Sequence, residues 1–189
     1  MTELEREASV IAPPSTALAV KGPFFISEDK ELLDVDVVHG FLSRCYWSPD
    51  IHRSRVELAI RHSRCFAVYD TRQARPGDGR AALVAFGRLI TDYMSLGYLA
   101  DVFVLEPYQG QGLGSWLIAT IVSLPDVAEL RKLALVTRDA QSLCAGYGFT
   151  HLDPTRHMER ADPTCAYRTP TDRQQGASRS CFSALPPTR

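Results

Sequence analysis

The chain has 189 residues, of which 45% are hydrophobic and 23% charged, and a formal net charge of −1. That is the composition of one ordinary globular domain with some tail, and it excludes a global field that would recruit nucleic acid or anionic lipid. No apolar run approaches the roughly 20 residues that span a bilayer, so neither nucleic acid nor membrane is expected as a partner.

The five cysteines, Cys45, Cys65, Cys144, Cys165 and Cys181, are scattered and contain no Cys-x-x-Cys pair. Neither a metal site nor a disulfide framework is indicated. The acidic, polar start argues against a secretory signal, and a reducing, cytoplasmic setting is the expectation.

Residues 1–21 have little periodicity and include Pro13-Pro14, which reads as a flexible arm. The domain proper is expected over 22–160. Phe24-Phe25-Ile26 is a β-type run, and Asp34 then caps a helix carrying Val35, Val38 and Leu42 on one side. Tyr46-Trp47-Ser48-Pro49 ends that helix, because the residue before proline avoids helical torsions. Ser54-Arg55-Val56-Glu57 fits a capping box for a second helix ending near His62.

Cys65 to Tyr69 predicts a strand, Pro76-Gly77-Asp78-Gly79 a hairpin turn, and Ala81 to Ile90 the return strand, with Gly87 marking a bulge. Gly97 to Val104 is the next strand. A helix follows with Leu113, Leu117, Thr120, Ile121 and Leu124 on one face, stopped by Pro125. Leu133 to Val136 reads as a short buried strand, and Thr137 to Ala145 as a short helix with Thr137 as its N-cap. One or two further strands are expected between Phe149 and Arg160. From Ala161 the composition turns to Pro, Ser, Thr, Gln and Arg, so residues 161–189 read as a disordered tail. The order predicts an α+β single domain with one central mixed sheet.

The stretch with the most chemistry is Leu99 to Leu124. An apolar strand runs into a turn holding Gly110, Gly112 and Gly114, and an amphipathic helix follows. The first four N–H groups of a helix lack partners and the dipole adds roughly half a positive charge there, which suits a phosphate. A dinucleotide fingerprint would need G-x-G-x-x-G, and Ser115 stands where its third small residue would fall. A P-loop would need Gly-Lys-Ser/Thr, and Gly114-Ser115 lacks the lysine.

Gln109-Gly110-Gln111-Gly112-Leu113-Gly114 does match Gln/Arg-x-x-Gly-x-Gly/Ala, the acetyl-CoA motif of the GNAT N-acetyltransferase superfamily. Val104-Leu105-Glu106-Pro107-Tyr108 precedes it, close to that family's Val-x-Pro-x-Tyr. Ala140, Leu143, Gly148 and Phe149 follow at the family's spacing. The chain resembles GNAT enzymes over about residues 23–160. The resemblance implies a mostly antiparallel sheet flanked by helices and splayed between the Gly97–Val104 and Leu133–Val136 strands. Acetyl-CoA would be the co-substrate, its pantetheine arm pairing with the backbone of Val102, Phe103 and Val104. Its pyrophosphate would meet the N–H groups of Gln109, Gly110, Gln111, Gly112, Leu113, Gly114 and Ser115, with Thr137 a further coenzyme residue. Gln109 stands where many relatives have Arg, which removes one positive charge.

Acetyl transfer to an amine needs a neutral nucleophile, and deprotonating a lysine-like amine at pH 7 costs about 4.6 kcal/mol. A base is therefore expected, together with a donor for the oxyanion and an acid for the departing thiolate. GNAT enzymes often place a Tyr acid where this chain has Cys144. Relatives resembling spermidine acetyltransferases carry Glu-Asp where this chain has Ala100-Asp101. Asp101 and Cys144 are thus the candidate catalytic residues. Tyr46, Trp47, Asp92 and Tyr98 are candidate acceptor-binding residues. The expected activity is acetyl-CoA-dependent transfer to a primary amine, that of a small molecule; the alternative is a degenerate acyl-CoA-binding module. A homodimer is left open by the sequence.

Overall fold

The computed structural model describes residues 11–158 and Arg160. The expected tail over 161–189 and the first ten residues of the expected arm lie outside the described residues.

Six strands form one sheet in the order β1-β2-β3-β4-β5-β6. They are β1 (Ala19–Lys21), β2 (Phe24–Ser27), β3 (Arg64–Ala74), β4 (Ala81–Thr91), β5 (Gly97–Val104) and β6 (Leu133–Leu135). Every neighbouring pair is antiparallel except the last, where β5 and β6 run parallel. The helices are α1 (Val35–Leu42), α2 (Arg53–Arg61), α3 (Leu113–Ser123), α4 (Pro125–Ala128) and α5 (Gln141–Ala145).

Several expectations are corrected. Ala19–Lys21, inside the expected arm, is a strand pairing with Phe24–Ile26. Ile11 N–H also donates to Thr71 O at 2.9 Å, so backbone pairing ties down chain that composition alone reads as loose. α2 begins after His52 rather than at Ser54; Arg53 instead pairs with Glu57 one turn on and with Asp36 of α1. Thr137 Oγ1 accepts the Ala140 N–H at 3.0 Å, yet α5 starts only at Gln141. Residues 149–158 contain no strand, and β6 is the sheet's edge. Asp34 does cap α1, accepting from Asp36 and Val37 N–H.

The sheet is the middle of three layers. On one face α1 and α2 contribute Val38, Leu42, Val56 and Ile60 to a core with Phe25, Tyr69, Phe86 and Phe103. On the other, α3 contributes Leu113, Leu117, Ile118 and Ile121 to a core with Ile26, Phe66, Val84, Leu89 and Leu99.

Leu99 and Phe103 are four residues apart on β5 and by strict alternation would share a face, yet they belong to opposite cores. The register explains this. Arg88 pairs with Ala100 and Phe86 with Phe103, so Gly87 alone faces both Asp101 and Val102. This is a β-bulge, with Asp101 at φ 53°, and the extra residue inverts the pleat from that point on.

Two further features open the sheet beside the bulge. β6 pairs with β5 only over Gly97–Leu99, so the edge of β5 that faces it is unzipped from Ala100 onward. Phe103 stacks on Phe41 of α1 with ring centroids 3.9 Å apart and packs on Phe86 at 5.8 Å. Phe103→Ala should therefore cost about 3–5 kcal/mol of unfolding free energy, measured by urea titration. A loss below about 1 kcal/mol would show that this side chain does not hold β5 to α1.

Candidate functional site

The gap between β5 and β6 leads into a cavity of about 620 Å³. It is walled by the segment joining α1 to α2, by β4 and β5, by α3, and by the segment from β6 into α5. Tyr46, Trp47, Tyr98, Asp101, Val102, Thr137 and Cys144 all line it. Asp92 does not. Its carboxylate accepts from the N–H groups of Met94, Ser95 and Leu96 and from Ser95 Oγ. Those donors, the Ser95 hydroxyl first, hold its pKa well below the usual carboxylate range. Asp92 shapes the β4–β5 loop and lies outside this cavity wall.

At one end of the gap the chain leaves β5 and enters the glycine turn. Gly110 (φ 77°) and Gly112 (φ 73°) both adopt left-handed torsions that a side chain would strain. Gly112 is the N-cap of α3 and no side chain caps that helix. The first helical bond runs from Trp116 N–H to Gly112 O at 3.0 Å, which leaves the N–H groups just before Trp116 without helical partners. A Cβ on Gly112 would meet only Lys21 Nζ, 4.0 Å away.

The residues of this turn divide by what their side chains do. Gln109 Nε2 donates to Val104 O at 3.0 Å, bracing the turn onto β5. Gln111 Nε2 reaches Pro107 O at 3.4 Å. Leu113, Phe103 and Val104 bury their side chains in the cores. Tyr147 donates from its hydroxyl to Ser115 O at 2.9 Å and ties the end of α5 to the start of α3. What this turn presents to an anion is therefore backbone, with one ammonium beside it. Lys21 lies in a segment whose pairing sequence alone did not suggest, and its Nζ sits 6.0 Å from the Trp116 ring centroid.

The bulge sets the other end. Arg88 Nε donates to Asp101 Oδ2 at 2.5 Å, and Arg88 also donates to Ser63 Oγ at 3.1 Å. Both side chains of this ion pair are largely buried, at 17% and 14% exposure. Asp101 thus enters the cavity as half of a pair. Arg88 itself is a cavity residue that periodicity did not reveal, because strand alternation only marks it as polar.

Cys144 is buried, and burial pushes its thiol pKa up. At neutral pH it is a protonated thiol, a hydrogen-bond donor rather than a nucleophile. Tyr46 stacks under Arg138, whose guanidinium lies 3.7 Å from the ring centroid. This contact joins the α1–α2 segment to the β6–α5 segment across the cavity. Trp47 Nε1 and Asp139 Oδ2 are both buried without a hydrogen-bond partner. Near α2, Arg53 and Arg64 are taken up in ion pairs with acidic neighbours. Among the described residues no helix is long and apolar enough to cross a membrane.

Comparison with known proteins bears on this arrangement. The acetyltransferase (GNAT) family model matches residues 35–149. A curated relative from Gibberella zeae, named as a candidate acetyltransferase, is 32% identical over 135 residues, covering 65% of this chain and 76% of its own. A crystal structure from Xanthomonas campestris, described as a candidate acetyltransferase of the GNAT family, is 40% identical. It covers 77% of this chain and 97% of its own, with a TM-score of 0.66. A Mycobacterium tuberculosis protein solved in complex with CoA shares the fold at 16% identity, covering 68% of this chain and 72% of its own, with a TM-score of 0.52.

The raised thiol pKa has a direct consequence. With the thiolate suppressed and the sulfur buried, alkylation of Cys144 by iodoacetamide at pH 7.5 should be slower than in the urea-unfolded chain. Its rate should still be climbing above pH 8.5, the ordinary thiol value. Mass-spectrometric mapping of the labelled site reads this out. A native rate that matches the unfolded one, or that levels off below pH 8, would contradict it.

Proposed function

The chain belongs to the GNAT acetyltransferase family, and from that premise we propose that it moves the acetyl group of acetyl-CoA directly onto the primary amine of a small molecule. The observation that carries the coenzyme half is the uncapped start of α3 beside the unzipped edge of β5. Unpartnered N–H groups, left-handed glycines and open space over Gly112 suit a pyrophosphate. Lys21 Nζ at that spot supplies the positive charge that Gln109 does not. The edge of β5 that β6 leaves unpaired from Ala100 onward suits an extended amide-bearing arm, by the strand addition that open sheet edges support.

The coenzyme brings an activated thioester; the residues of the chain bind, orient and handle protons. The bulge leaves the Asp101–Val102 backbone out of the regular ladder, which makes an N–H there available to a developing oxyanion. Arg88 holds Asp101 by Oδ2, and Asp101 takes the proton of the incoming amine through water. The Cys144 thiol donates a hydrogen bond toward the departing sulfur. Its raised pKa keeps it a thiol; the ammonium gives its first proton to water by way of Asp101 before attack, and the second, lost by the nitrogen as the C–S bond breaks, ends on the sulfur of the released CoA.

Release of free thiol from acetyl-CoA in the presence of amines tests this reading. Gly112→Val, which both strains φ and fills the space above the turn, should raise the Kd for CoA at least about tenfold. Cys144→Ala should lower kcat about tenfold with little change in that Kd, the worth of one hydrogen bond to a charged group. Unchanged CoA affinity in Gly112→Val would overturn the coenzyme seat. Binding of acetyl-CoA without thiol release across a wide set of amines would leave a coenzyme-binding module in place of an enzyme.

A further inference from the structure

The cavity passes through the gap in the sheet and so has two sides. On one, Ile118, Ala140 and Cys144 belong to the core under α3, whose start is the proposed coenzyme seat. On the other, Trp47 and Ile51 pack on the core under α1 and α2. An arm arriving from the start of α3 enters from the first side and brings its thioester to the gap. The space beyond, against the α1–α2 segment, is left to the acceptor.

The part of this far wall that solvent reaches is apolar. It is made by Tyr46, Trp47, Ile51 and Ala59, all half-buried. Tyr46 and Trp47 stand edge to face with ring centroids 4.9 Å apart. Trp47 keeps its Nε1 sealed from solvent, so what it shows the cavity is ring carbon. The polar groups nearby are already engaged. Ser48 Oγ donates to Leu42 O at 2.9 Å, and Arg88 donates to both Asp101 and Ser63 Oγ. The charge laid over the wall from the β6–α5 segment is positive, Arg138 on the Tyr46 ring.

From this wall we infer that the acceptor is a monoamine on an apolar body about the size of one ring. Its nitrogen meets Asp101 at the gap, and its body lies on Tyr46, Trp47 and Ile51. The identification rests on the transferase reading above and adds to it the class of acceptor. A polyhydroxylated amine would exchange water for a wall whose hydroxyl is turned away, and unpaired polar groups are costly to bury. A polyamine would need a second anionic partner. Asp101 is already shared with Arg88, Asp139 keeps its Oδ2 sealed from solvent, and Arg138 repels a second ammonium. A single ammonium on an apolar body meets neither difficulty, and burying the body is favourable in proportion to its area.

The test compares phenethylamine, ethylamine and putrescine by kcat/KM for thiol release. CoA affinity is followed separately by calorimetry. Phenethylamine should exceed each of the others at least about tenfold, as expected for the burial of one ring. Ile51→Asp sets a carboxylate on the wall while keeping the backbone carbonyl that His39 Nε2 meets at 3.0 Å. It should lower the phenethylamine-to-putrescine ratio at least about tenfold, and Ile51→Leu should preserve that ratio, with CoA affinity intact in both. Should Ile51→Asp lose CoA binding, Trp47→Ser takes its place and should bring the phenethylamine-to-ethylamine ratio toward one. A wild-type phenethylamine-to-ethylamine ratio near one, or ratios unmoved by a variant that still binds CoA, overturns the inference. If CoA binds but no amine is acetylated, the transfer reading fails, and the subsite is judged by saturation-transfer NMR with phenethylamine in the presence of CoA. Phenethylamine binding that weakens in Ile51→Asp then sustains the apolar subsite. Absence of binding to the wild-type protein, or binding unmoved by the substitution, overturns it.

Discussion

The extra residue in β5 opposite Gly87 is the constraint from which the site follows. A bulge bends its strand, increases local twist and swaps which faces the following residues occupy. Here it sends Leu99 to the α3 side and Phe103 to the α1 side. The aromatic stack of Phe41, Phe103 and Phe86 then anchors the far half of β5 to α1. β6, only three residues long, follows the near half alone. The opening between the strands is therefore a product of packing on opposite faces rather than of a missing element. Gly87 allows it: a Cβ there would come within 3.3 Å of Val102 Cγ2.

The bulge also determines the electrostatics. Asp101 takes a left-handed torsion and meets Arg88 from the neighbouring strand. A carboxylate held this way is oriented and half used. Removing either partner would strand a largely buried charge, a cost of about 3–5 kcal/mol when such pairs are broken. The second pair of charges, Arg138 and Asp139, has no such mutual arrangement.

Much of this was legible in the sequence, for physical reasons that differ by element. The glycine turn was readable because left-handed torsions demand glycine and the start of a helix demands an anion or a cap. β5 and α3 were readable from their apolar periods, and α1 from Asp34. The bulge was signalled by Gly87, but the second, longer side of it at Asp101–Val102 leaves no local mark. β1 escaped notice because a three-residue edge strand has too short a period to register, and with it Lys21 was lost as a neighbour of the turn. The place of Asp92 outside the cavity wall was not legible, because its loop satisfies its carboxylate locally, which a sequence cannot show.

The central claim is that the start of α3 and the open edge of β5 together form one seat for an extended, pyrophosphate-bearing coenzyme. A crystal structure of the protein with CoA tests it most directly. The account predicts phosphate oxygens within roughly 2.7–3.2 Å of N–H groups in residues 110–115, with the pantetheine arm along residues 100–103 and its sulfur reaching the cavity that holds Cys144. CoA bound elsewhere, or phosphates at the turn with the arm lying outside the β5–β6 gap, would contradict it.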